Sequence, residues 1–127
     1  MWVLKKNFFL FLALGWLIFI AVASLMPMSD SVDIQVSHAD KIVHVLFYFM
    51  NTLFFAYHFR KKLTDSLLFK ISVGLLAYGM IIEVLQYVMP FQRAFEWYDM
   101  LANLTGILAA IVLIKLFLMQ TAPENDR

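Results

Sequence analysis

The placement of polar residues along this chain leaves few folds open. Apolar runs cover positions 7–26, 42–59, 71–89 and 100–119. Each has roughly the 17–25 residues that a membrane-spanning helix requires. Pro27 and Pro90 stop the first and third runs, and Lys115 can snorkel from the last turn of the fourth. The ionisable and amide side chains inside or beside the runs include Asp40, Lys41, His44, Glu83, Gln86, Arg93, Asp99 and Asn103. If all four runs span, these residues fall near the same side of the membrane. A charge in hydrocarbon is costly, so Glu83 needs a reason to be there, and a shared polar site between helices is the default reason.

Composition agrees. Hydrophobic residues make up 63% of the 127 positions and charged residues 15%, against about 45–50% and about 25% in soluble domains. The expectation is an all-α, integral membrane four-helix bundle in one domain, with a polar, disordered tail at 121–127. At this length the Phe, Leu, Ile and Val runs favour helices over buried strands. The net charge of +1 says nothing about nucleic acid, but no basic stripe interleaved with aromatics appears, so no nucleic-acid partner is expected. The absence of cysteine excludes disulfides, thiol nucleophiles and thiolate metal sites. Trp2, Trp16, Tyr48, Tyr57, Tyr87, Trp97 and Tyr98 fall largely near run ends, as in aromatic belts.

Orientation follows from Lys and Arg in the short loops. Lys5, Lys6, Arg60, Lys61, Lys62, Lys70, Lys115 and Arg127 fall on one side of a four-span arrangement, and only Lys41 and Arg93 on the other. Both termini are therefore expected in the cytoplasm. The loop at 27–39, with Asp30 and Asp33, is expected outside. The first run has a rival reading as a signal peptide, because Lys5 and Lys6 precede an apolar core and an Ala21-Val22-Ala23 stretch. Its continuation through Leu25 and Met26 favours a retained span.

The polar residues form three stripes. Asp40, His44 and Tyr48 stand at i, i+4 and i+8, with Lys41 beside them. Read singly, Asp40 is a helix cap, Lys41 an interface anchor and His44 a core histidine. Glu83 and Gln86 share a face. By helical rise Glu83 lies roughly 9 Å inside Met89, too deep for a short carboxylate to snorkel, so it must be protonated, paired or beside water. Asp99, Asn103 and Gly106 stand at i, i+4 and i+7, and Gly106 lets a neighbouring helix approach. Read singly, Asp99 is a cap and Arg93 a loop charge paired with Glu96. Taken together the stripes occupy one half of the bundle. His38 and His58 have no partners in sequence and read as surface residues.

Asp40-Lys41-x-x-His44, then Glu83-x-x-Gln86, then Arg93 followed by Asp99-x-x-x-Asn103-x-x-Gly106 resembles the VanZ-like family of small bacterial membrane proteins. The likeness covers the second to fourth runs in order and spacing. Ser24 and Pro27 resemble the family's Ser-x-x-Pro after the first. Six residues separate Gln86 from Arg93, a compact form of the pattern, and Trp97-Tyr98 precede the Asp. The resemblance implies a four-helix protein of the bacterial cytoplasmic membrane. The family takes its name from a member linked to low-level teicoplanin resistance. The resemblance brings no defined reaction.

The expected ligand is a membrane lipid or a lipid-linked cell-envelope precursor, held in an outward-facing pocket. Lys41 and Arg93 would bind phosphate, Glu83 would act as general acid or base, and His44 would share its proton. Asp99 would orient His44 or Arg93, beside Asp40, while Gln86 and Asn103 would add neutral hydrogen bonds. The alternative is a scaffold for envelope enzymes with these residues as interhelical glue. A metal reading rests on His44, Asp40, Glu83 and Asp99, but no paired-His spacing accompanies them, so no metal or cofactor is expected.

Overall fold

The computed structural model describes residues 2–26, 36–89 and 95–119. Among these residues every regular element is a helix: α1 (Trp2–Lys6), α2 (Phe8–Leu25), α3 (Val36–His58), α4 (Asp65–Val88) and α5 (Trp97–Phe117). Three of them, α2, α4 and α5, are long and apolar enough to cross a membrane. Their outward faces match that reading. α2 buries only Ala13, Ile20 and Ser24 and exposes Phe11, Leu14, Ile18 and Val22 along one ridge. Soluble monomers rarely leave so much contiguous apolar surface uncovered.

α3 has the length of a span, but Asp40, Lys41, His44, Asn51 and Thr52 dilute its apolar character. Its position explains why it tolerates them, because it packs against α2, α4 and α5, and most extensively against α5. Its buried stripe runs through His44, Tyr48, Thr52 and Ala56. α4 presents Leu68, Ser72, Leu75, Gly79, Ile82, Glu83 and Gln86 inward. The buried face of α5 includes Asp99, Asn103, Gly106, Ala110 and Ile114. Small residues on these stripes let the backbones approach closely, as helix association in a lipid environment requires.

Two apolar clusters fill the middle and one end. Ile20, Tyr48, Leu75 and Ile107 form the first, and Ala56, Leu68, Ala110 and Ile114 the second. Side chains also tie helices to one another's backbones. Trp16 Nε1 donates to the Phe47 carbonyl at 2.9 Å, Tyr78 Oη to Leu17 at 2.5 Å and Asn51 Nδ2 to Ala13 at 3.5 Å. Trp16 and Tyr48 are thus mid-helix packing residues rather than members of an aromatic belt. Tyr57 at one end, and Tyr87, Trp97 and Tyr98 at the other, remain exposed.

α3, α4 and α5 start earlier than their apolar runs do. α3 begins at Val36, about six residues ahead of expectation, and α4 at Asp65. Thr64 caps α4, its side chain accepting from Leu67 N at 3.1 Å, and Asp65 in the first turn complements the helix dipole. α2 and α4 are followed by the C-cap residues Met26 and Met89, whose ψ values of 138° and 148° are extended. Each precedes a proline, whose ring disfavours the helical conformation in the residue before it. His38 belongs to α3 rather than to a loop. The tail at 121–127 lies outside the described residues.

Candidate functional site

Close contact between α3 and α5 builds the polar end. A Cβ added at Gly106 would lie 2.2 Å from the Val45 carbonyl oxygen of α3. The backbones therefore nearly touch there, and the residues one and two turns toward the start of α5 are brought against α3. Asn103 Oδ1 lies 3.0 Å from His44 Nδ1, both residues being buried. Asp99, a turn further, bonds Lys41 Nζ. Lys41 also bonds the Glu96 carboxylate and lies 3.9 Å from Asp40 Oδ2. His44 Nε2 is 3.8 Å from Asp40 Oδ1 and 3.8 Å from Asp99 Oδ2.

One ammonium thus gathers three carboxylates, and one imidazole bridges two of them to an amide. Two single-residue readings fail here. Asp40 does not cap α3, because the helix begins four residues before it. Asp99 does not cap α5. Its carboxylate is engaged by Lys41, and Glu96 occupies the cap position without a side-chain capping bond. Glu96 was expected opposite Arg93, yet it meets Lys41; Arg93 lies outside the described residues.

α4 supplies the deepest carboxylate. Glu83 is 1% exposed, and its Oε2 accepts from the Glu96 backbone N–H at 3.4 Å. Glu96 is therefore the hinge of the cluster, touching Glu83 through its backbone and Lys41 through its side chain. Sequence reasoning gave Glu96 no site role, although its place three residues before Asp99 put it on the same face. Gln86, 4% exposed, turns elsewhere: its Nε2 donates to the Ser24 carbonyl at 2.5 Å. That carbonyl lies in the last turn of α2, where helix carbonyls lack intrahelical partners. Gln86 thus caps a neighbouring helix and fastens α4 to α2.

Gly79 makes room for Asn103. A Cβ there would fall 2.7 Å from Asn103 Nδ2 and 3.1 Å from Tyr48 Oη. Gly79→Ala is expected to rotate the carboxamide away from His44 and to cost about 1–2 kcal/mol through the lost buried hydrogen bond. Denaturant unfolding in detergent micelles, read alongside the ring nitrogen shifts of His44 by NMR, checks this. Unchanged His44 shifts would show that the carboxamide keeps its place.

Asp40, His44 and Asp99 can each offer a ligand atom within 4.8 Å of the others. Glu83 does not join that group, so the four-ligand set considered from sequence contracts to three. Lys41 on the Asp99 carboxylate places a positive charge where a cation would sit. Two further buried polar residues, Asn51 and Thr52, are 0% exposed at mid-depth. Thr52 bonds its own helix, donating to Tyr48 O at 2.7 Å. The signal for Thr52 was present, because it continues the Asp40-His44-Tyr48 spacing by one turn. His58, read as a surface residue, is half-buried, with its ring edge-on to Phe59 at 4.6 Å.

No family model, curated protein or solved structure matches the chain.

Proposed function

We propose that the chain is a multi-pass protein of the bacterial cytoplasmic membrane. Its four long helices would all span, with both termini in the cytoplasm. Its outward-facing polar site would bind or act on a lipid or lipid-linked envelope component. The observation that carries this reading is the gathering of Glu83, Asp99 and His44, at 1%, 2% and 5% exposure, from three helices at one end. Ionisable groups at such depth are expensive and mark working sites in membrane proteins. The basic residues support the orientation. Lys5, Lys6, Arg60, Lys61 and Lys62 cluster at the opposite end from Lys41, and the excess of Lys and Arg marks the cytoplasmic side.

In this reading Lys41 is the switchable member. Its partner Glu96 is half exposed, and an exposed ion pair is worth little, so an entering phosphate can take the place of Glu96. Arg93, assigned to phosphate from the sequence alone, would offer a fork of donors. Glu83 exchanges a proton with the bound ligand, and His44, oriented by Asn103 and flanked by Asp40 and Asp99, passes charge to the outside. The VanZ-like resemblance adds a phenotype, reduced teicoplanin susceptibility.

A second reading is favoured by the bond from Gln86 to Ser24. That contact is interhelical glue, and if the whole cluster were glue the chain would be a scaffold for envelope enzymes. Teicoplanin susceptibility of a bacterial host separates the two. Intact protein and Glu83→Gln are compared at matched membrane levels. Protection by the intact protein that disappears with Glu83→Gln is the expected outcome. Equal protection by both would turn the reading to glue, since an amide still accepts the Glu96 N–H. No protection by either would remove the resistance role.

A further inference from the structure

At the end away from the polar site, α1 and the turn after α3 enclose a cleft of about 770 Å³. Its lining includes Lys5, Lys6, Arg60, Lys61 and Lys62 and, among the described residues, no acidic one. Two breaks in helix geometry place them. Asn7 leaves the helical region at φ −105°, ψ 15°, so α1 is set off from α2 and ends on its two lysines. After α3 the chain turns tightly, with Lys62 N bonded to Phe59 O at 2.8 Å, and three consecutive cations face α1.

The cations differ in how they are held. Arg60 is fixed, its Nη1 donating to Tyr57 O at 2.9 Å while the guanidinium lies over the Tyr57 ring at 5.6 Å. Lys5, Lys61 and Lys62 are exposed and, among the described residues, have no acidic partner. Asp65, the nearest acid in sequence, lies 3.4 Å from Lys115 instead. His58 lines the cleft, and its buried Nδ1 has no hydrogen-bond partner among the described residues. This concentration of positive charge around one concavity, with no acidic partner for Lys5, Lys61 and Lys62 among the described residues, suits an anion.

The walls say which kind. Phe8 and Phe9 are stacked edge-on at 5.4 Å, and Phe9 packs on Tyr57 at 4.8 Å. Phe8 is 54% exposed and opens onto the ridge of Phe11, Leu14, Ile18 and Val22 on α2. A basic headgroup site thus continues into an apolar track about one helix long. Free phosphate would use the first part and leave the second idle. We propose that this cleft binds an anionic phospholipid of the adjacent leaflet, its phosphate among the lysines and its acyl chains along the outer face of α2. Basic pockets beside helix ends hold such headgroups in the same way. By helical rise the cleft lies roughly 30 Å along α3 from Asp40, so it is a second site, independent of the first.

The full chain, purified in a non-ionic detergent, is titrated with dioleoylphosphatidylglycerol or dioleoylphosphatidylcholine, and retained lipid is read by native mass spectrometry. The wild type should hold phosphatidylglycerol on the order of tenfold more tightly than phosphatidylcholine. The combined variant Lys5→Gln, Lys6→Gln, Lys61→Gln, Lys62→Gln should erase that preference. Lys70→Gln with Lys115→Gln, which lie outside the cleft, should leave it within about twofold. All the replaced side chains are exposed, and circular dichroism confirms that helicity is kept. Equal loss with the Lys70 and Lys115 pair would overturn the proposal in favour of diffuse surface charge. Displacement of the lipid by millimolar inorganic phosphate would overturn it in favour of a free-anion site. An unchanged preference in the fourfold variant would overturn it outright.

Discussion

Gly106→Ala should destabilise the protein by about 3 kcal/mol, the upper part of the usual overpacking range. The added Cβ would stand 2.2 Å from Val45 O and 3.0 Å from both Val45 C and Phe49 N. All three are backbone atoms of α3, so no rotamer change relieves the contact, and the two helices must separate. Alanine is the better helix former by about 1 kcal/mol, which offsets only part of that cost. Separation also pulls Asn103 and Asp99 from His44 and Lys41, because those pairs depend on the same close approach. The control is Gly74→Ala. A Cβ there meets nothing within 4 Å, so only the propensity gain should remain. Unfolding free energies in detergent micelles, measured side by side, decide the matter. Equal stability of the two variants would mean that the approach of α3 to α5 is not as close as the structure has it.

This glycine also shows how far a sequence reaches. Its place at i+7 from Asp99 was enough to mark it as a point of helix approach, because a missing side chain on a polar stripe has one obvious use. The partner was not legible, since spacing within α5 says nothing about which helix lies opposite. The same limit applies to the polar residues. Each stripe could be read from the 3.6-residue repeat, and the shared end followed from the alternation of the runs. The pairing of Lys41 with Asp99 and Glu96, and of Gln86 with a backbone carbonyl of α2, depends on the rotation of each helix about its axis. Helix starts at Val36 and Asp65 were missed for another reason. The turns there are polar, and an apolar-run criterion begins counting only where lipid-facing residues begin. Asn51 shows a further gap: a single amide in an apolar run carries no signal of its direction, yet it is fully buried and reaches Ala13.

Lys41→Met should cost nearly as much, about 3 kcal/mol, by a different mechanism. The Asp99 side chain is 3% exposed, and removing one member of a buried pair leaves the other charge uncompensated, typically worth 3–5 kcal/mol. The low end applies because the Lys41 side chain is itself 23% exposed. The exposed carboxylate of Glu96 is solvated either way and adds little. His44 cannot substitute in place, since its Nε2 stands 3.8 Å from Asp99 Oδ2 and its Nδ1 is occupied by Asn103. Adding Asp99→Asn to Lys41→Met should recover most of the loss, because a neutral amide needs no counter-charge. A double-mutant cycle on unfolding free energy therefore tests the pair directly. The expected coupling exceeds about 2 kcal/mol. Additive losses would show that Lys41 stabilises the fold through its aliphatic stem rather than through Asp99. That cycle, with a second one on Lys41→Met and Glu96→Gln, bears on function. If Lys41 is the group that trades Glu96 for a phosphate, it must keep Asp99 while doing so, and a strong coupling to Asp99 with a weak one to Glu96 is the energetic pattern that such an exchange requires.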